Sequence, residues 1–358
     1  MLTAEYLTLN GLRAATNSAL TQFSLTEGAR LRAIGSELEP VADVMHRFLL
    51  DSGKRLRPIF ALVGALGTGT EITPAIIQAA ASLELVHVCA LMHDDVMDAS
   101  DTRRGAPSVH RAFEAMHRER ALAGNDQQFG ISVAILLGDL ALIWSAKMLH
   151  TSQLDIATLV RSQEVYDEMR IELMAGQYLD VYEQVLGSES VERSLKVARY
   201  KSGKYTIERP LHFGAALGSK SPEALMEIYS QYGLPLGEAF QLRDDVLGVF
   251  GNPDETGKPA GDDLREGKRT VLLAKTMERV SPEQRSTLES IIGKNELSSD
   301  QVESARAIIR TTGALDELEE LISTLTYQAL TSLDTPLLAP QAVELLRELT
   351  SIVTQRNT

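Results

Sequence analysis

Cysteine is almost missing from this chain of 358 residues: Cys89 stands alone. No intrachain disulfide can form, and such usage fits a reducing, cytoplasmic compartment. Positive charge is also in deficit. Thirty-five Lys and Arg against 49 Asp and Glu leave a net charge of -14. That balance excludes a nonspecific nucleic-acid binder, which needs a basic footprint, and offers no polybasic membrane anchor. The most apolar stretch, residues 131–144, is interrupted by Gly138-Asp139. It reads as a buried helix too short to cross a bilayer, so no integral membrane segment is expected. The start, Met1-Leu2-Thr3-Ala4-Glu5, lacks a basic region ahead of an apolar run, so no secretory signal is expected. Internal repeats, low-complexity tracts and Pro/Ser-rich linkers are missing too, and strand-like alternation is scarce.

What remains is helix. Apolar residues recur at three- and four-residue spacing over residues 75–92, 160–182, 302–309 and 342–352. Ser221-Pro222-Glu223 and Ser281-Pro282-Glu283-Gln284 each offer an N-cap followed by proline at the first helical position. Ser298 followed by Gln301 resembles a capping box. Residues 250–270, rich in Gly, Pro, Asp and Lys, form the longest loop-like segment, and such a loop is often functional. The expectation is one all-α domain over residues 1–358, with C-terminal helices over 280–358.

Two acidic clusters interrupt this apolar background, Asp94-Asp95-Val96-Met97-Asp98 and Asp244-Asp245. An unpaired carboxylate in apolar surroundings is costly, so something must neutralise them. On a helix Asp94 and Asp98 share one face about 6 Å apart, and Asp95 is turned away by about 100°. Mg²⁺ is the natural counter-charge, because it takes oxygen ligands from one or two carboxylates plus substrate phosphates. A solvated acidic helix end is the alternative, but residues 83–92 are too apolar for a surface helix.

Cations complete the pattern. Gly53-Lys54-Arg55-Leu56-Arg57-Pro58 carries three in four residues, and Lys54 and Arg57 can converge on one helix face. Arg103 and Arg104 follow the first acidic cluster and could act as forks for phosphate oxygens or as charge compensation. Lys201-Ser202-Gly203-Lys204 is another cationic segment, and Lys258 and Lys268 flank Asp262-Asp263. Several separated cationic sites on an acidic chain suit more than one diphosphate group.

Gly53-Lys54-Arg55-Leu56-Arg57-Pro58, then residues 85–98 ending in Asp94-Asp95-Val96-Met97-Asp98, then Asp101-Thr102-Arg103-Arg104-Gly105, then Gly138-Asp139 follow in order. Phe240-Gln241-Leu242-Arg243-Asp244-Asp245, Gly257-Lys258-Pro259 and Glu266-Gly267-Lys268 complete the series. In that order and spacing they resemble the trans-isoprenyl diphosphate synthases, or polyprenyl synthetases, strongly over residues 35–275. The bacterial geranylgeranyl diphosphate synthases are the nearest in kind. The resemblance implies an isoprenoid synthase fold, with helices surrounding a deep central cavity, usually in a homodimer. It implies three Mg²⁺ ions, two held by Asp94 and Asp98 and the third by Asp244. Lys54, Arg57, His87 and Arg104 would bind the diphosphate of isopentenyl diphosphate. Arg103, Lys201, Ser202, Gln241, Lys258 and Lys268 would contact the allylic diphosphate, with Arg103 and Lys201 also counted as catalytic. Cys89 has no catalytic role in this scheme.

Two positions depart from the family pattern. Gly248 stands where the second acidic motif usually ends in Asp, and Ser202 replaces a usual Thr, whose hydroxyl it can match. The resemblance also implies that the helix before Asp94 lines the elongation tunnel and sets product length; one helical turn of about 5.4 Å is roughly one isoprene unit. Cys89 and Ala90 are small, so growth past fifteen carbons is expected; Val86 and Leu83 lie deeper, and Trp144 is a candidate floor. Geranylgeranyl diphosphate is the expected product. A longer or farnesyl chain, a terpene cyclase and a non-catalytic partner subunit are the alternatives. The motif at Gly53–Pro58, Arg104 and the second Asp-Asp argue against the cyclase, and Gly248 alone favours the partner subunit.

Overall fold

The computed structural model describes residues 7–50, 53–187, 189–252, 261–294 and 296–355. The chain divides into two compact units, one made of Met1–Glu164 and Pro210–Pro222, the other of Val165–Arg209 and Glu223–Thr358.

The first unit contains helices α1 (Leu9–Ile34), α2 (Glu39–Leu50), α3 (Leu56–Gly67), α4 (Pro74–Met97), α5 (Val109–Glu119) and α6 (Asp126–His150). It also holds the start of α7 (Ile156–Leu186) and nearly all of α9 (Arg209–Gly218). Thr73 starts α4: its side chain accepts from the Ile76 amide, and Pro74, with no N–H to satisfy, takes the first turn. Most of α4 is buried, and its residues Leu85, Val88, Cys89 and Met92 pack on Leu137, Ala141 and Trp144 of α6, Phe113 of α5 and Leu20 of α1. The Trp144 ring meets Phe23 edge-on at 6.1 Å. A two-residue hairpin, β1 (Thr102–Arg103) against β2 (Ala106–Pro107), separates α4 from α5.

The structure corrects the reading of residues 131–144. They are the middle of α6, a helix of 25 residues, because Gly138 costs a helix only about 1 kcal/mol and does not end it. By length and hydropathy both α4 and α6 could cross a bilayer, with 67% and 39% of their most apolar windows buried. Helix α4 is thus a core helix of its unit, whereas α6 leaves Leu136 and Ile143 exposed.

The second unit takes the rest of α7, then α8 (Val191–Val197), a π-helix (Ala198–Glu208) and α10 (Glu223–Phe250). Short helix α11 (Asp262–Glu266) and helices α12 (Val271–Met277), α13 (Pro282–Glu289), α14 (Ser299–Thr311), α15 (Ala314–Ser332) and α16 (Pro340–Thr354) complete it. The expected capping box of Ser298 with Gln301 forms, and Ser281, expected as an N-cap, forms a second one with Gln284. The core gathers Leu242 and Val246 of α10, Leu264 of α11, Leu272 of α12, Ile309 of α14 and Leu318 of α15. The loop-like segment 250–270 therefore contains one short helix; Lys258 lies outside the described residues.

Candidate active site

In the first unit the acidic motif occupies the last turn of α4. Asp98 is the C-cap, and its amide donates to the Asp94 carbonyl at 2.8 Å. Carboxylates at this end face the negative pole of the helix macrodipole, an arrangement that favours a bound cation. The hairpin supplies one. Arg103 donates from Nε to Asp95 Oδ1 at 2.8 Å and from Nη2 to the same oxygen, and lies 3.9 Å from Asp94 Oδ2. Asp95 is fully buried, so the Arg103 pair neutralises it. Arg103 can at the same time brace the carboxylate next door.

Arg104 and Gly105 form the hairpin's turn, with φ of 53° and 75°. Two successive positive φ values are the signature of a type I′ turn, which suits the twist of the strands. A non-glycine residue in this region is strained by about 1–3 kcal/mol, and such strain clusters at functional sites. The Arg104 guanidinium reaches back over the Phe48 ring of α2, 6.0 Å from its centroid.

His87 lies seven residues before Asp94, on the same face of α4. Its imidazole is held well below the ordinary histidine pKa, first by burial and then by the guanidinium groups of Arg57, Arg104, Arg103 and Arg55. Two of the four, Arg103 and Arg55, are paired with the buried carboxylates of Asp95 and Glu84. Lys54, three residues before Arg57, is exposed. His93, beside Asp94, points elsewhere: its Nε2 sits 3.0 Å from the Ile135 carbonyl and 3.7 Å from Asp139 on α6.

Cys89 and Trp144 meet in the core cluster of the first unit. Cys89 is turned about 140° from Asp94 around α4. Burial, then the charge of Asp139, pushes its thiol up to about 11, so no nucleophilic thiolate forms near neutral pH. Ala90, with part of its surface accessible, is four residues before Asp94 and on its side of the helix; Val86 and Leu83 below it are buried.

The second unit holds the other motifs. Lys201 and Ser202 lie in the π-helix, a form that often marks functional sites. Lys201 Nζ pairs with Asp180 of α7 at 2.6 Å. The π-helix can lie against α10 only because glycines meet there: a Cβ on Gly237 would come 2.6 Å from the Gly203 Cα and 2.7 Å from its carbonyl oxygen. One turn beyond Gly237, Gln241 donates from Nε2 to Asp245 Oδ1 at 3.0 Å, and Asp245 Oδ2 accepts from the Val271 amide. Burial above all pushes the Asp245 carboxyl up to about 7, with the charges of Asp263 and Asp180 adding to it and the two hydrogen bonds opposing it. Asp245 is therefore committed to the protein interior, whereas its neighbour Asp244 is partly exposed.

Gly248 has a physical explanation. The carboxylate of Asp263, carried in from α11, fills the space where a side chain at 248 would go: a Cβ there would overlap Asp263 Cγ and Oδ2 and lie 2.9 Å from Oδ1. Lys268 Nζ stands 4.0 Å from Asp263 Oδ1 and pairs with Glu266 at 2.5 Å. Sequence reasoning offered Arg103 as charge compensation for the acidic cluster, which its pair with Asp95 is, but overlooked Asp180 and the place of Asp263 against Gly248. Only the fold shows them, since each partner is at least eight residues away in sequence.

An acidic motif at the C-terminal end of a buried helix, with arginines around a nearby buried imidazole, is an arrangement suited to a cation beside an anion. The sequence pattern of the polyprenyl synthetases matches residues 39–309. Geranylfarnesyl diphosphate synthase of Aeropyrum pernix is 34% identical over 75% of this chain and 78% of its own length. Geranylgeranyl diphosphate synthase of Methanosarcina mazei is 31% identical over 77% and 78%. Among solved structures, geranylgeranyl pyrophosphate synthase from Corynebacterium glutamicum, complexed with isoprenyl diphosphate and magnesium, superposes with a TM-score of 0.93 at 43% identity, covering 97% of this chain and 99% of that one. The chain belongs to the polyprenyl synthetase family. It has the all-α isoprenoid synthase fold and is a prenyltransferase.

Proposed function

We propose that the protein condenses isopentenyl diphosphate head-to-tail with an allylic diphosphate, in trans geometry, to give geranylgeranyl diphosphate. The observation that carries this reading is the neutral His87 among four arginines, beside an acidic motif at the negative end of α4. A cyclase, which rearranges a single substrate, has no use for a second diphosphate site. Lys54, Arg57, His87 and Arg104 bind the diphosphate of isopentenyl diphosphate. Arg103, Lys201, Ser202, Gln241, Lys268 and Lys258 serve the allylic diphosphate.

The donor set fits Mg²⁺. Among the described residues no three His, Cys, Asp or Glu side chains converge as a ready-made metal cluster. Mg²⁺ needs none, since one or two carboxylates suffice when substrate phosphates complete its shell. Asp94 and Asp98 would hold two ions and Asp244 a third. Bound there, Mg²⁺ supplies the positive charge that stabilises the departing diphosphate. Arg103 and Lys201, counted as catalytic, would each add positive charge to an allylic diphosphate. The allylic carbocation left behind is attacked by the double bond of isopentenyl diphosphate, and a proton is lost to the released diphosphate. Holding two anionic substrates side by side is the protein's main kinetic contribution.

Ala90, small and on the Asp94 side of α4, favours growth past fifteen carbons, with Val86 and Leu83 bounding a twenty-carbon product; Cys89 and Trp144 bear on chain length through the packing behind that face. Both units serve one synthase domain, working in the cytoplasm as a homodimer. The exposed Leu136 and Ile143, seven residues apart on one face of α6, support that pairing.

The test is to incubate the purified protein with Mg²⁺, isopentenyl diphosphate and, separately, dimethylallyl, geranyl and farnesyl diphosphates, then measure product length. A discrete twenty-carbon product is expected, and chelation should abolish it. Twenty-five carbons or more would keep the chemistry and overturn the chain length. No condensation with any primer would leave the partner-subunit reading.

A further inference from the structure

Arg55 sits between two of the residues assigned to isopentenyl diphosphate, Lys54 and Arg57, yet it turns the other way. It is 3% exposed. Its Nη1 pairs with Glu84 Oε1 of α4 at 2.6 Å, and its Nε donates to Asn17 Oδ1 of α1 at 2.8 Å. Its backbone is left-handed, with φ of 55°, and it is the N-cap of α3. That conformation folds the guanidinium back under the segment it belongs to. A Cβ on Gly53 would come 2.8 Å from Arg55 Nη1 and 3.3 Å from Glu84 Oε1, so Gly53 is part of the same lock.

Glu84 stands one helical turn before His87. The pair therefore clamps the start of α3, with Lys54 just before it and Arg57 in its first turn, onto the turn of α4 adjoining the imidazole. A guanidinium fork is the group suited to this task, because it can satisfy Glu84 and Asn17 together while a lysine ammonium is a point charge.

We propose that Arg55 is a positioning residue: through its buried pair with Glu84 and its bond to Asn17 it holds Lys54 and Arg57 in register with His87 for the diphosphate of isopentenyl diphosphate. This rests on the assignment of Lys54, Arg57 and His87 to that substrate made above. It extends the assignment to a residue that does not touch the ligand.

The test compares Arg55→Lys, the double variant Arg55→Met/Glu84→Met, and the controls Lys54→Ala and Arg57→Ala. Each is measured for KM of isopentenyl diphosphate, KM of the allylic substrate, kcat and melting temperature. The double variant removes both charges together, so no unpaired buried charge is left to unfold the protein. It should raise the isopentenyl diphosphate KM about tenfold, the loss of roughly one charge-assisted hydrogen bond. The allylic KM should stay within about twofold, less than one such bond is worth. Arg55→Lys should fall between it and the parent. Parental KM values in a stably folded double variant would overturn the proposal, as would an equal rise for both substrates. If Lys54→Ala and Arg57→Ala leave the isopentenyl diphosphate KM unchanged, the underlying assignment fails instead.

Discussion

Giving position 248 the aspartate that the family pattern calls for should damage this protein. The carboxylate of Asp263, itself nearly buried, occupies the room a side chain would need. It has little freedom to retreat. The Lys268 amide donates to the Asp263 carbonyl at 3.1 Å, the Gly293 amide to the Leu264 carbonyl at 2.8 Å, and the Leu264 side chain is sealed in the core. Gly261 and Gly267, at φ of 71° and 69°, pin both ends of α11 in left-handed conformations. Overpacking of this kind costs about 1–3 kcal/mol, so in a chain of 358 residues Gly248→Ala should lower the melting temperature by roughly 1–4 °C. Gly248→Asp adds a second carboxylate against the first, and like charges about 4 Å apart repel by up to ~4 kcal/mol near a protein surface. Its melting temperature should fall further and its allylic KM should rise. The decisive assay is a double-mutant cycle by thermal or urea unfolding. Asp263→Ala should restore much of the stability lost in Gly248→Ala, giving a coupling of about 1–3 kcal/mol. A Gly248→Asp protein as stable and active as the parent, or additive effects in the cycle, would refute the reasoning.

Diphosphate binding should favour proton uptake at His87 as the pH is lowered. Burial and four arginines hold His87 neutral, and an added anion cancels the repulsion and raises its pKa. Calorimetry in buffers of different ionisation heat should show this uptake in the parent and not in His87→Gln. Ala90→Phe should shorten the product, read by chain-length chromatography. Trp144→Ala should lengthen it if the indole is part of the floor, and an unchanged distribution would remove it from that role. The same variant should destabilise the protein by about 3–5 kcal/mol, because the ring is packed in the core against Phe23. Cys89, buried and pushed up to about 11, should resist alkylation at pH 8 in the folded protein and react once urea unfolds it.

Local chemistry was legible in the sequence. Caps such as Ser281 with Gln284 formed because both partners lie within one turn. The acidic motif emerged at the end of a buried helix because residues 74–97 are apolar nearly all round. Partnerships made through the fold were not legible. Nothing in the spacing of Arg55 and Glu84, or of Lys201 and Asp180, says that they pair. Of three adjacent cations in residues 54–57, charge alone cannot tell which one turns inward. Nor could helix periodicity reveal the π-helix under Lys201, since that form depends on α10 packing at Gly237. The length of α6 was underestimated because Gly138-Asp139 was treated as a break, when a helix tolerates one glycine.

Helix α4 has a consequence for how the protein is made. Its apolar face is covered largely by α6, yet α4 ends at Met97 and α6 at His150. At about 5–20 residues per second, α4 is synthesised roughly 3–10 s before the helix that covers it is complete. For those seconds a segment with the length and hydropathy of a membrane span is without its final cover. The nascent chain is then a substrate for chaperones that bind apolar helices, and slowing translation between the two helices should lower the yield of folded enzyme without altering a single residue.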